Sequence, residues 1–195
     1  MTITSDSTLT DVAFAACTAL RGAGETAILC GGSAATFYVP ERYQSYDADF
    51  ILRSGGTRRI VDRALASIGF QRDKAAIYRH HKSSYVVEFP PGPLAIGRKL
   101  VNQWDTVVRA NSQLFVLFPI DVVCDRFLHF WAWGDTSART AALDIAAQYP
   151  ERIDITEIET WLNQERAADS TYSASEAARF LEGVQGAISA GRRGR

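Results

Sequence analysis

The run Ile28-Leu29-Cys30-Gly31-Gly32-Ser33-Ala34, followed one short helix later by Tyr46-Asp47-Ala48-Asp49-Phe50-Ile51-Leu52, constrains the fold of this chain more than any other part of it. An apolar run ending in Gly-Gly-Ser reads as a buried strand entering a tight turn, where the missing Cβ atoms let the backbone approach a ligand such as a phosphate. The second segment alternates. A strand has a side-chain period of two, so Asp47, Asp49 and Ile51 share one face while Ala48, Phe50 and Leu52 share the other. Two carboxylates on one face repel unless a cation lies between them, and the natural occupant is a hard, oxygen-seeking divalent ion: Mg²⁺, with Mn²⁺ as its substitute. Solvated charge on an edge strand would also give Asp-x-Asp. The apolar Phe50-Ile51-Leu52 that follows has instead the character of a strand inside a sheet.

Gly-Gly-Ser, a helix, and Asp-x-Asp on the next strand together resemble the signature of the nucleotidyltransferase superfamily, whose best-known fold is the palm of DNA polymerase beta. The resemblance implies that Gly31, Gly32 and Ser33 hold the triphosphate of an NTP, that Asp47 and Asp49 hold Mg²⁺, and that a third carboxylate follows on a later strand. In this chain the third is Glu88, within the strand-like run Ser83-Ser84-Tyr85-Val86-Val87-Glu88-Phe89. Many relatives also carry an Arg-x-Ser/Thr pattern before the metal strand. Ser45 fits that pattern, and Arg42 lies one residue farther out than it asks. Both are nucleotide-contact candidates by that resemblance, although a lone arginine is also an ordinary surface residue. Arg98 and Lys99, in a loop soon after Glu88, read either as solvated cations or as partners of a triphosphate or an RNA backbone, and Lys99 joins the candidates.

With 195 residues the chain is long enough to bury a proper core, and its hydrophobic fraction of 47% and charged fraction of 22% are those of a globular protein. A net charge of -1 excludes affinity for nucleic acid through overall positive charge, though not through a local basic patch. Cys17, Cys30 and Cys124 stand far apart in apolar runs, without metal-ligand spacing, as buried small hydrophobes in a reducing cytosol would. The N-terminus lacks the basic and apolar regions of a secretory signal, and no stretch reaches the roughly 20 apolar residues that span a bilayer, so the expectation is a cytoplasmic protein without a membrane role.

Along the chain, Thr10-Asp11 reads as the cap of a first helix that stops at Gly22-Ala23-Gly24, and Ser33 as the cap of a short helix from Ala34 to Val39 that Pro40 ends. A turn at Ser54-Gly55-Gly56 precedes an amphipathic helix with Ile60, Ala64, Leu65 and Ile68 inward, ended by Gly69. Phe70–Tyr78 and Ser83–Phe89 read as strands joined through a polar tip at residues 79–82. Adjacent His80 and His81 would point to opposite faces of a strand, which speaks against one shared ion. A last hairpin runs from Trp104 to Phe118 with Asn111-Ser112 as its turn. From Pro119 the pattern is helical: Val122, Val123, Arg126, Phe127, Phe130 and Trp131 keep a 3.6-residue period. Further helices start at Asp135, at Asp154 or Thr156, and at Ser173, and the basic tail from Gly191 is expected to fray.

The segment Asp125-Arg126-Phe127-Leu128, with Trp133-Gly134-Asp135 after it, resembles the Asp-Arg-Leu and Trp-x-Asp pattern of small bacterial nucleotidyltransferase-like proteins related to the AbiEii/AbiGii toxin group. As a buried ion pair, Asp125-Arg126 would hold two parts of the fold together. The expected fold is therefore α+β: a nucleotidyltransferase-type mixed β-sheet flanked by helices over residues 1–118, followed by a C-terminal helical bundle over 119–195. The expected activity is Mg²⁺-dependent transfer of a nucleoside monophosphate from an NTP to a hydroxyl acceptor, with Asp47, Asp49 and Glu88 as metal ligands and catalytic residues. The resemblance allows a tRNA, a protein or a small molecule as acceptor and an antitoxin protein as partner. The rival is a catalytically inactive module of the same fold that binds nucleotide, RNA or a partner protein.

Overall fold

The computed structural model describes residues 2–53, 57–169 and 171–194, so the expected turn at 54–56 lies outside the described residues. Helix α1 (Leu9–Gly22) begins with a capping box in which Thr8 Oγ1 accepts from the Asp11 N–H and Asp11 Oδ2 accepts from the Thr8 N–H. The cap is thus Thr8, two residues before the expected Thr10, because the reciprocal Thr-x-x-Asp pair satisfies two orphan donors at once. Strand β1 (Ala27–Leu29) is fully buried and runs straight into α2 (Gly31–Tyr38). That helix starts three residues before the expected Ala34, with Cys30 as its cap and Ser33 inside its first turn. Strand β2 (Asp47–Leu52) then shows the expected alternation, with Ala48 and Phe50 buried and Asp47, Asp49 and Ile51 half-buried.

Helix α3 (Arg58–Ala66) buries Val61, Ala64 and Leu65, while Ile60, expected inward, is 37% exposed. The long strand expected over 70–78 is two strands: β3 (Phe70–Arg72) and β4 (Tyr78–His80), antiparallel to each other. Asp73 makes the reversal between them. Its Oδ1 accepts from the N–H groups of Ala75 and Ile77, an Asx-type turn that needs neither glycine nor proline and so left little mark on the sequence. Strand β5 (Val86–Glu88) follows. A small separate hairpin, β6 (Ala95–Ile96) and β7 (Lys99–Leu100), replaces the expected open loop, and β8 (Asp105–Arg109) with β9 (Ser112–Val116) completes the strands.

The main sheet has seven strands in the order β3-β4-β5-β2-β1-β9-β8 and is mixed: β2 runs parallel to β5 and antiparallel to β1, and β1 runs parallel to β9. Helix α1 lies against β9, β1 and β2 with α3 beside it, and α2 rests on β2. The chain is α+β, a mixed sheet flanked by helices.

Four helices close the chain: α4 (Pro119–Trp133), α5 (Thr136–Gln148), α6 (Ile155–Ala168) and α7 (Ala174–Arg193). Their ends follow the sequence signals. Pro119 opens α4 and Gly134 closes it in the left-handed conformation, while Asp135, Asp154 and Ser173 accept from first-turn N–H groups of α5, α6 and α7. Helix α7 continues past the expected fraying point at Gly191. A side chain there would run into the Ala147 carbonyl of α5, so glycine is what allows these two helices to touch. Helices α4 and α5 also pack on α2, and one continuous hydrophobic core extends from Ile3 through the sheet to Ile188. No helix among the described residues is long and apolar enough to cross a membrane.

Candidate active site

The parallel pairing of β2 with β5 decides the geometry of the acidic residues. In that register Asp47 lies opposite Val86 and Asp49 opposite Glu88, so alternation puts all three carboxylates on one face. One oxygen from each of Asp47, Asp49 and Glu88 lies within 4.8 Å of the others. Three half-buried carboxylates at this spacing repel. Burial first, and then the charges of Asp47 and Glu88, push the Asp49 carboxyl up to about 7, against the opposing pull of Arg126. Glu88 is also raised, by burial and by Asp47, with Arg79 opposing. An all-oxygen donor set of this charge fits Mg²⁺ or Mn²⁺, which takes a few carboxylates and leaves positions for phosphate oxygens.

The glycine turn stands directly beside this cluster. Gly31 has φ +63°, in the left-handed region, and a Cβ on it would lie 3.2 Å from Asp49 Oδ2. A Cβ on Gly32 would lie 3.2 Å from the Tyr43 hydroxyl and 3.3 Å from Ser45 Oγ. The two glycines thus let the start of α2 meet the acidic strand and the segment leading into it. No side chain caps α2, so its first-turn N–H groups are left for other partners. Replacing Gly31 with Ala is expected to lower stability by about 1–2 kcal/mol through the positive φ alone. The same change should weaken Mn²⁺ binding several-fold by pressing on Asp49. Urea unfolding and Mn²⁺ titration read the two effects separately.

Ser45 and Ser33 are both near the cluster but serve different ends. Ser45 Oγ donates to Asp47 Oδ1 at 2.6 Å, orienting that carboxylate, and its N–H is held by Thr36 Oγ1 on α2. Ser33 is fully buried: its hydroxyl donates to the Cys30 carbonyl at 2.7 Å and accepts from the Asp49 N–H at 3.0 Å. This hydroxyl, expected to hold phosphate, has its donor and one acceptor position engaged in fixing the turn to β2. The adjacent Cys30 thiol is raised well above its ordinary range by burial, with Asp125 and Asp49 adding to the effect, which keeps it neutral and unreactive.

Of the two candidate cations, Lys99 is engaged by other residues. Lys99 Nζ donates to Asp121 at 3.0 Å and to Glu157 at 2.9 Å, clamping the β6–β7 hairpin onto α4 and α6. Lys99, expected to meet a triphosphate, thus has its charge compensated by neighbouring carboxylates. Arg42 is exposed, in the turn after α2. The cation that does reach the site is Arg126 on α4, with Nη2 3.7 Å from the position of a Gly31 Cβ and its charge felt at Asp49. Its place on the buried stripe of α4 was the available signal, because a buried arginine must have an occupation.

Family models, curated proteins and solved structures show no match to this chain. Its function is therefore read from the site itself.

Proposed function

We propose that this protein is a nucleotidyltransferase that moves a nucleoside monophosphate from an NTP to a hydroxyl acceptor, using Mg²⁺ or Mn²⁺. The observation that carries the reading is the gathering of Asp47, Asp49 and Glu88 within 4.8 Å beside the uncapped start of α2. Asp47, Asp49 and Glu88 would hold the ion, which when bound supplies positive charge to the phosphates. Ser45 keeps Asp47 aimed, and the uncapped first-turn N–H groups of α2 would meet phosphate oxygens. In the transfer, the acceptor oxygen forms a bond to the α-phosphorus as the bond to the bridging oxygen breaks, and pyrophosphate departs. Glu88, raised and only half-buried, takes the acceptor's proton.

The arrangement of Ser33 and Lys99 favours a second reading, in which the same site holds a nucleotide without turnover. Both side chains are committed to the fold, which leaves fewer groups to grip a transition state. One experiment separates the two. The purified protein is incubated with Mg²⁺, each labelled NTP in turn and a cell extract, and label is followed into RNA, protein and small molecules. Transfer of label into one of these fractions, a tRNA fraction included, supports the enzyme and identifies its acceptor. Tight Mg²⁺-dependent NTP binding with no transfer supports the module. Growth arrest on expression, relieved by a neighbouring antitoxin protein, would place the activity in a toxin pair.

A further inference from the structure

We infer that Arg126 is the residue that receives the substrate's phosphates, in the place that sequence patterns offered to Arg42 and Lys99; the inference rests on the nucleotidyltransferase reading of the site. The Arg126 side chain is only 7% exposed. A guanidinium that deep needs compensation, and the obvious explanation is a bridge holding the helices to the sheet. The ion pair does not supply that bridge, and the guanidinium's tie to the segment between α2 and β2 is the Tyr43 hydroxyl. The carboxylate bonded to Arg126 is Asp125, the preceding residue of the same helix, so the pair ties no two elements together.

The bonding within the pair shows what is left over. Arg126 Nε and Nη2 both donate to one oxygen, Asp125 Oδ2, at 3.1 and 2.8 Å. Of the five N–H groups of a guanidinium, those on Nη1 and the second on Nη2 are not used by Asp125, and the Tyr43 hydroxyl is a hydrogen-bond partner for this remaining set. The Tyr43 hydroxyl lies against the same guanidinium and is also 3.2 Å from the position of a Gly32 Cβ. With Nη2 3.7 Å from the corresponding position on Gly31, the cation stands over the glycine pair at the border of the acidic cluster. A triphosphate whose oxygens meet an ion on Asp47 and Asp49 and the backbone at Gly31-Gly32 comes within reach of that guanidinium. A planar fork of donors suits phosphate oxygens better than an ammonium does. Asp125 acts as a positioning residue, restraining the guanidinium from collapsing onto Asp49.

The test uses two probes, Mn²⁺ alone and inorganic tripolyphosphate with and without Mn²⁺, each followed by calorimetric titration. Arg126→Met is expected to weaken tripolyphosphate binding at least 30-fold while Mn²⁺ alone binds as well as before or more tightly, because a cation near Asp49 has gone. Arg126→Lys should restore part of the loss. The double variant Asp125→Asn with Arg126→Met removes the stranded carboxylate and covers the case in which the single variant fails to fold. Arg59→Met, an exposed position on α3, controls for loss of one positive charge. Tripolyphosphate binding within threefold of the unmodified protein in the folded double variant, or an equal loss in Arg59→Met, overturns the inference. If the unmodified protein binds no Mn²⁺, the transferase reading falls, and the metal-free tripolyphosphate titration still decides the role of Arg126.

Discussion

Asp49→Asn is expected to reduce the proposed nucleotidyl transfer at least a thousandfold and, in the metal-free protein, to raise stability at pH 8. The first effect follows from removing the charge of the carboxylate that faces Glu88 across β2 and β5 and lies closest to the glycine turn. The second follows from electrostatics. The Asp49 carboxyl stands at about 7 in the fold, against 3.8 as its ordinary value. A carboxyl raised on folding holds its proton more tightly in the folded state, so its contribution is fully favourable below about pH 4 and is lost as pH rises through 7. At about 1.4 kcal/mol per pKa unit, ionised Asp49 costs the metal-free fold about 4 kcal/mol at pH 8. Asp73, Asp135 and Asp169 are held below their ordinary values and finish titrating before this window. His80 is lowered and acts in the opposite sense, so the difference between variant and unmodified protein isolates Asp49. Thermal melts at pH 5.5 and pH 8, with and without millimolar Mg²⁺, give the measurement. Glu88 and Asp121 are also raised and remain in the variant, so the unmodified protein should lose more stability at the higher pH than the variant does and regain more of it with Mg²⁺. Full turnover in Asp49→Asn would end the metal reading of this residue.

Phe127→Ala is expected to cost about 3–5 kcal/mol of folding stability, the range for truncating a fully buried aromatic ring. Phe127 stacks on Phe180 with ring centroids 3.8 Å apart and planes 8° apart, joining α4 to α7, and also meets Trp131 at 4.8 Å. Arg126 is its immediate neighbour, so a cavity at 127 loosens the segment that presents the guanidinium to the glycine turn. Transfer activity should therefore fall even at temperatures where the variant is folded. Ile60→Ala, at a 37% exposed position, should change stability by only about 0.5 kcal/mol. Urea unfolding of both variants provides the check, and near-equal midpoints would mean that α4 and α7 do not pack as described.

Much of this arrangement was legible before any coordinates, for physical reasons that differ from part to part. The period-two pattern of Asp47 to Leu52 and the caps at Asp135, Asp154 and Ser173 are local signals, and they survive because packing and hydrogen bonding act in the same direction. The face of Glu88 was legible only through the resemblance, because which strand lies beside β2 is a long-range fact that no local pattern carries. The β3–β4 reversal was missed because a single Asp73 side chain builds it. For Ser33 and Lys99 the structural engagements were not legible, for a related reason. Each is a residue type that binds phosphate well, and each is equally able to satisfy a neighbour, which only the tertiary contacts of Cys30, Asp49, Asp121 and Glu157 reveal.

The side-by-side meeting of β2 and β5 has an evolutionary corollary. Two of the three clustered carboxylates and the glycine bend belong to one unbroken stretch of chain, whereas the third carboxylate arrives on a flank made of three-residue strands. A lineage could discard that third carboxylate with one codon change and leave the rest of the scaffold undisturbed. On the proposed transferase reading, catalysis would then disappear while occupancy by a nucleotide persisted, so position 88 is where descendants of this architecture would divide into working enzymes and silent receptors.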